Sequence, residues 1–513
     1  MKRILAILFS VVLVTGCLAG CGKDGKNVAK GDATEIEIGY WSSGLGEEWL
    51  KKTVEKFNQK YPEYHVTYNA SAIPTSVTAA YGLPDVDTVD LYMSVKMYDT
   101  KYMEPLDDVL EATADGDSKP LKDKFYDNYL KLEQASDGHY YTLTYGGGVV
   151  GMVYNKKMFK DAGITQIPRT TDELASACLL LRDEDYVPLC HFGELGYYTY
   201  LMHVFMMQYD GADYFINNFY GCTDKEGNSP SKEILTTKDG RYYGLKACEK
   251  FVTPENTMNG STAMAHTEVQ TKFLNGSAAM MINGSWLQNE MKNDGNMDNF
   301  SVMRFPILSS LVNKLSTVKT DKDLRTVISA IDQVLDGEKK LTDFADGDNY
   351  TIDDLTVSAA DWDTIYAART VISTNFAGAS TFIPTYSSAK EGAKEFIKFM
   401  NSDEGYKIYL DTLRLPKPIK LSSGEEINTS SFTDYEKLQF ELMGQSQYFA
   451  EYDIMSRHRI FTDGGADFLA GVYFANVFTT LNAKERKSAD EVWNLMMDKV
   501  NDNYESNWLA NIK

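Results

Sequence analysis

Apolar and polar residues alternate at the start of the folded sequence, where Ile36, Ile38 and Tyr40 share one side of a predicted strand. The spacing then changes. Leu50, Val54, Phe57 and Tyr61 recur at helical intervals, and Pro62 ends that pattern. His65 to Tyr68 begins a second strand. A strand–helix–strand unit of this kind predicts an α/β fold with largely parallel pairing. Further strands are expected over Asp87–Met93, over Tyr140–Tyr145 and Val149–Tyr154 around a triple glycine, and over Ala278–Ile282. A short helix should open at Met103–Asp108. Thr170–Glu173 is a capping signal ahead of Leu174, Cys178 and Leu181. Leu195–Tyr209 reads as a buried helix, Ala389–Met400 and Glu491–Val500 as amphipathic ones, and polar residues 309–370 give only helix-like stretches.

The N-terminus follows a different pattern. Lys2 and Arg3 precede an almost unbroken apolar run, Ile4–Val14, too short for a standard spanning helix but suited to a secretory signal. Leu18-Ala19-Gly20-Cys21 then resembles a bacterial lipobox, with Val14–Cys17 a weaker match just upstream. Cleavage before Cys21 would leave a thiol to carry diacylglycerol, and lipid carrying more than one chain suffices for stable membrane attachment. Gly22–Thr34 reads as a flexible tether. The expectation is an exported protein, lipid-anchored on the outer face of the bacterial cytoplasmic membrane.

Composition narrows the class. The 513 residues allow two to four domains, and 43% hydrophobic with 12% aromatic residues is ample for large cores. The net charge of −22, more negative once Lys2 and Arg3 are removed, argues against nucleic acid and anionic headgroups as partners. Cys178, Cys190, Cys222 and Cys248 lack metal-ligand spacing. Export permits Cys178–Cys190 or Cys222–Cys248 disulfides, and scattered buried thiols are the equal alternative.

Few motifs carry chemistry. Gly146–Gly151 satisfies GxGxxG, but a strand rather than a helix follows, so no helix N-terminus would meet a pyrophosphate. A tight crossing between domains accounts better for the glycines. Asp294–Asn299 starts like a calcium loop without its later ligands and reads as a turn. Neither HExxH nor GxSxG occurs, and Glu47-Glu48 point in different directions on a helix. No cofactor and no metal is expected. Trp41 and Trp286 follow strand ends, the edge of an α/β sheet where ligands sit. Their flat faces suit stacking on sugar rings, and burial in the core is the alternative. Tyr197, Tyr198 and Tyr200 read as core.

A set of segments recurs in a specific order. Ile38-Gly39-Tyr40-Trp41 precedes a helix ending Phe57–Pro62. Pro84–Asp87 is followed by Met103–Asp108, and Asp137–Leu143 by Val153–Phe159. Ala162-Gly163-Ile164 leads to Pro168-Arg169-Thr170, and Phe273–Met280 precedes Gly284-Ser285-Trp286. From Glu35 onward, apart from about 309–370, the chain resembles the extracellular solute-binding proteins of family 1, lipoprotein receptors of carbohydrate ABC importers. The resemblance implies an α/β, two-lobed, periplasmic-binding-protein-like fold with multiple hinge crossings and the ligand in the interlobe cleft. Crossings fall near Tyr145–Gly151, Trp286 and Pro384. Residues 35–145 plus about 287–384 then form lobe 1, and 146–286 plus about 385–513 form lobe 2. Carried onto this chain, the ligand contacts are Trp41, Ser42, Ser43, Glu47, Tyr145 and Trp286. Asp85 belongs to a further patch, and Asn283 with Glu47 would read hydroxyls. The implied activity is binding without chemistry, by a monomer that closes on a carbohydrate and docks on ABC permease subunits. The alternatives are a receptor for a peptide, polyamine or anionic sugar, a surface glycoside hydrolase, or a scaffold or adhesion protein on the same fold.

Overall fold

The computed structural model describes residues 33–42, 44–70, 89–96, 100–135, 137–191, 197–224, 228, 231–292, 297–451 and 474–509. The signal segment, Cys21, nearly all of the tether, Ser43, Asp85 and the first half of the calcium-like turn lie outside them. Two sheets organise the rest. The first has the order β2-β1-β3-β13-β4, built from β1 (Thr34–Tyr40), β2 (Tyr64–Asn69), β3 (Leu91–Ser94), β4 (Leu143–Thr144) and β13 (Ser380–Phe382). The expected alternation in β1 holds. Ile36, Ile38 and Tyr40 are buried, and the helix Glu48–Lys60 lays Leu50, Val54 and Phe57 onto the same core. β1 runs parallel to β2 and β3, as expected from the strand–helix–strand pattern, whereas β13 is antiparallel to both its neighbours.

The second sheet has the order β14-β12-β5-β7-β6, with β8 also pairing β5. It contains β5 (Val149–Asn155), β6 (Leu189–Cys190), β7 (Met280–Gly284), β8 (Phe300–Met303), β12 (Val371–Thr374) and β14 (Tyr448–Glu451). The long central strand β5 is antiparallel to β7, β8 and β12, so the expectation of largely parallel pairing fails here. The helix Tyr198–Asp210 is buried almost throughout, as its continuous apolar run required.

Residues 309–370 hold more strand than their polarity suggested. After the helix Asp321–Leu335 come β9 (Ala345–Asp346), β10 (Asn349–Ile352) and β11 (Leu355–Ser358), a small antiparallel sheet, and then the helix Ala359–Arg369. Both helices pack within the second lobe, the later one against Tyr198–Asp210. Asp361 anchors the insertion. Its carboxylate accepts from the backbone N–H groups of Ser316 (2.9 Å) and Val318 (3.2 Å) and from the Thr317 hydroxyl (2.6 Å). Burial alone would raise its pKa, but these donors prevail and hold it at about 2, below the ordinary 3.8. Because the folded pKa is depressed, this stabilisation is complete above pH 4 or so and is lost as the pH falls through about 2. Asp361→Asn is expected to lower stability by about 2 kcal/mol at neutral pH. It should also flatten the wild-type loss of stability across that acid window, read from urea unfolding at stepped pH.

The sheets revise the lobe boundaries. β8 and β12 fall within the stretch expected in lobe 1, yet both pair with β5 in the second sheet. The helices Lys390–Met400 and Asp403–Leu413, expected in lobe 2, pack instead on Glu48–Lys60 in the first lobe. The chain passes between sheets at Tyr145–Gly148, at Asn375–Ala379, and between Leu413 and the helix Asp434–Gly444, which packs on β8 and β5. The chain does not cross at Trp286, because β7 and β8 belong to one sheet, and the later crossing precedes Pro384. The four cysteines are buried and unpaired, so neither suggested disulfide is present.

Candidate functional site

The triple glycine lies where two crossing segments touch. Asn375 donates its backbone N–H to the Gly148 carbonyl at 3.1 Å. A Cβ on Gly147 would sit 2.4 Å from the Asn375 carbonyl oxygen, and one on Gly148 would sit 2.5 Å from Ser285 Oγ. The glycines therefore serve backbone approach, and β5 rather than a helix follows them.

Each sheet delivers a tryptophan to this crossing. Trp41 ends β1. Its N–H donates to the Met93 carbonyl at 2.8 Å, and its carbonyl accepts from the Tyr145 hydroxyl at 2.6 Å. The indole is left 41% exposed, large for this residue and available to a ligand. From the other sheet, Ser285 bonds the backbone of Val149, its hydroxyl accepting from the N–H at 3.0 Å and donating to the carbonyl at 3.1 Å. Trp286 follows directly. Its indole folds over Gly284, where a Cβ would come within 2.2 Å of the ring, and packs edgewise on Tyr197. Only 6% of Trp286 is exposed, so in this conformation it offers a ligand little of its ring.

The other expected contacts divide. Tyr145 is fully buried, its ring stacked on Trp49 at 6.1 Å and set edge-on to Tyr40 at 5.8 Å. It has no free face for a sugar; it supports Trp41 through the hydroxyl bond, a correction to its assignment as a contact. Ser42 is half-buried, with its carbonyl accepting from the Leu45 N–H. Glu47 is exposed at the start of the helix and reaches the Tyr68 hydroxyl, whose pKa is raised by burial and then by this carboxylate. Asn283 is buried. Its Oδ1 accepts from the Gly284 N–H at 2.7 Å, and its Nδ2 has no protein partner.

Sequence reasoning missed Glu290. It lies one helical turn beyond Trp286, and its N–H donates to the Trp286 carbonyl at 3.0 Å. The residue is exposed overall, yet its carboxylate is crowded: a Cβ added to Gly44, in the loop after β1, would be only 2.8 Å from its Oε1. Oε2 accepts from Gln270 Nε2 at 2.8 Å. Burial pushes the carboxyl above its usual range, against the opposing pull of Gln270 and His266. The one available signal was its spacing of four from a strand-end tryptophan, which puts both on one helical face.

The site therefore has one exposed tryptophan, a largely buried one from the opposite sheet, closely packed crossings beneath them, and acceptors on both sides. Among the described residues no group of His, Cys, Asp and Glu could hold a metal ion, and no helix is long and apolar enough to cross a membrane. A groove of about 480 Å³ beside Lys56 and Glu404, and one of about 650 Å³ beside Gln208 and Tyr448, lie on outer faces away from the crossings.

Comparison with known proteins shows the family. Residues 42–407, the greater part of the chain, match the family model described as bacterial extracellular solute-binding protein. The chain belongs to this family. An arabinooligosaccharide-binding protein of Bacillus subtilis (strain 168) is 24% identical to the solute-binding protein over 301 residues, 56% of this chain and 63% of that one. The match thus spans less than two thirds of that relative. A multiple sugar-binding protein of Streptococcus mutans serotype c is 24% identical over 310 residues, 59% of this chain and 69% of that one. Among solved structures, a chitin oligosaccharide binding protein superposes with a TM-score of 0.58 at 17% identity, covering 92% of this chain and all of that one. A family 1 extracellular solute-binding protein from Bifidobacterium longum subsp. infantis gives 0.54 at 16% identity, covering 91% and 98%. These structures share the two-lobed α/β fold.

Proposed function

We propose that the solute-binding protein captures a sugar or oligosaccharide between its lobes by hinge closure and delivers it to the permease of an ABC importer. One observation carries the reading: two tryptophans from opposite sheets flank a single glycine crossing, so rotation about that crossing changes their separation. Ligand that touches both lobes favours the closed state by its differential affinity. The sugar-binding names of the relatives support the choice of ligand. Export, a lipid anchor at Cys21 and a monomeric receptor that performs no reaction complete the proposal.

The test is thermal unfolding of residues 22–513, the chain without its signal segment and Cys21, against mono- and oligosaccharides, peptides and polyamines. A ligand at a hundred times its Kd stabilises the native state by about 2.7 kcal/mol, enough to raise the midpoint clearly. Trp41→Ala is expected to weaken sugar binding by about tenfold or more without lowering the midpoint of the free protein, because the ring is exposed. Trp286→Ala should cost at least as much, and Trp286→Phe, which keeps the packing, should recover part of it. A shift with peptides or amines alone would remove the sugar assignment and leave the receptor. Product formed from an oligosaccharide would favour the hydrolase.

A further inference from the structure

We infer that Glu290, oriented by Gln270, accepts a hydroxyl of the ligand, and that the cleft therefore selects neutral oligosaccharides over uronates. The inference rests on the carbohydrate reading above and adds to it a residue and a ligand charge class.

Glu290 is exposed overall, while its carboxylate is held between protein on two sides: the helix of Gln270 behind and the Gly44 loop of the other lobe in front. Gly44 has φ +76 and leaves room only because it lacks a side chain. A group in this position is reached by a ligand that has entered between the lobes. It also shares a helical face with Trp286, so an aromatic surface and an acceptor are offered together.

The hydrogen bonds define what is accepted. Gln270 is fully buried, so the amide that donates to Oε2 is fixed by its packing. Oε1 is the oxygen turned towards Gly44. An ionised carboxylate has no donor of its own, so Oε1 can take only an O–H or N–H. A sugar hydroxyl meets that requirement, and such charge-assisted bonds are short and strong. A uronate carboxylate would instead bring a second negative charge into a partly desolvated gap, where repulsion is weakly screened. Were the Glu290–Gln270 bond only a structural clasp, its loss would change stability and leave the preference among ligands alone.

The experiment compares wild type, Glu290→Gln and Glu290→Ala by isothermal titration with one neutral oligosaccharide series and its uronate-bearing counterparts. Wild type should prefer the neutral series. Both variants should lose about tenfold or more in affinity for it. Glu290→Gln should narrow the neutral-to-uronate ratio by a similar factor, with the unfolding midpoint of the free protein unchanged. If either variant unfolds, Glu290→Asp, which withdraws the carboxylate by one methylene, should weaken neutral binding and keep the discrimination against uronates. Unchanged affinities and an unchanged ratio in the variants, or a wild type that prefers uronates, would overturn the inference and leave the sugar receptor standing. A wild type that binds neither series would overturn both.

Discussion

Arg241→Ala is expected to lower stability by about 4 kcal/mol, the cost of removing one partner from a buried ion pair. Arg241 opens the helix Gly240–Phe251 and is fully buried. Its Nε donates to both oxygens of Asp239, at 2.8 and 3.0 Å, and Nη2 donates to the carbonyls of Ile234 and Thr237. The guanidinium lies over Phe219 at 4.3 Å and Trp493 at 5.3 Å, tying the C-terminal helix Ala489–Asn503 to the second lobe. In the alanine variant Asp239 keeps only the Tyr214 hydroxyl and the Arg241 backbone N–H, and a void opens between two aromatic rings. Arg241→Lys should cost less, since charge survives while the planar fork is lost. A double-mutant cycle with Asp239→Leu isolates the pair. Urea midpoints for the set check the ordering, and an alanine variant as stable as wild type would contradict it.

The second large effect falls on the hinge. Gly147 has φ +92, and its missing Cβ is what lets Asn375 approach. Gly147→Ala is expected to cost about 3 kcal/mol, more than a left-handed alanine costs by itself, because the methyl would meet a backbone carbonyl that cannot swing aside. Gly46→Ala provides the contrast. Its φ is +69 and nothing lies within 4 Å of an added Cβ, so only the conformational penalty of about 1 kcal/mol remains. The hinge variant should also bind ligand more weakly than the Gly46 variant. Separating the crossings moves Ser285, and with it Trp286, relative to Trp41. Unfolding and titration of the two variants side by side test both parts.

Position along the chain marked part of the candidate site. Trp41 and Trp286 were singled out by asking which large aromatic follows each strand, and they lie one and two residues beyond the ends of β1 and β7. The glycines link β4 and β5, which lie in different sheets, and a strand, not a helix, comes after them. What position could not tell was which way each ring faces. Tyr145 adjoins the glycines just as a contact residue would, yet it is enclosed by Trp49 and Tyr40. Glu290 was passed over because a glutamate on a short polar helix has no local mark of what stands opposite it.

The lobe boundaries failed for a related reason. Apolar periodicity reports which side of an element is buried, not which element covers it. β8 and β12 pair with β5 across long stretches of chain, and nothing in a four-residue strand names its partner. The sequence by itself determined the α/β class, most helices and the family resemblance, because these follow from local spacing and from motifs in a fixed order. The tertiary structure alone decided where the chain crosses between lobes, that Tyr145 supports rather than binds, and that Glu290 faces Gly44. Exposure, strand partners and the approach of two lobes are properties of long-range packing, to which residues hundreds of positions apart contribute together.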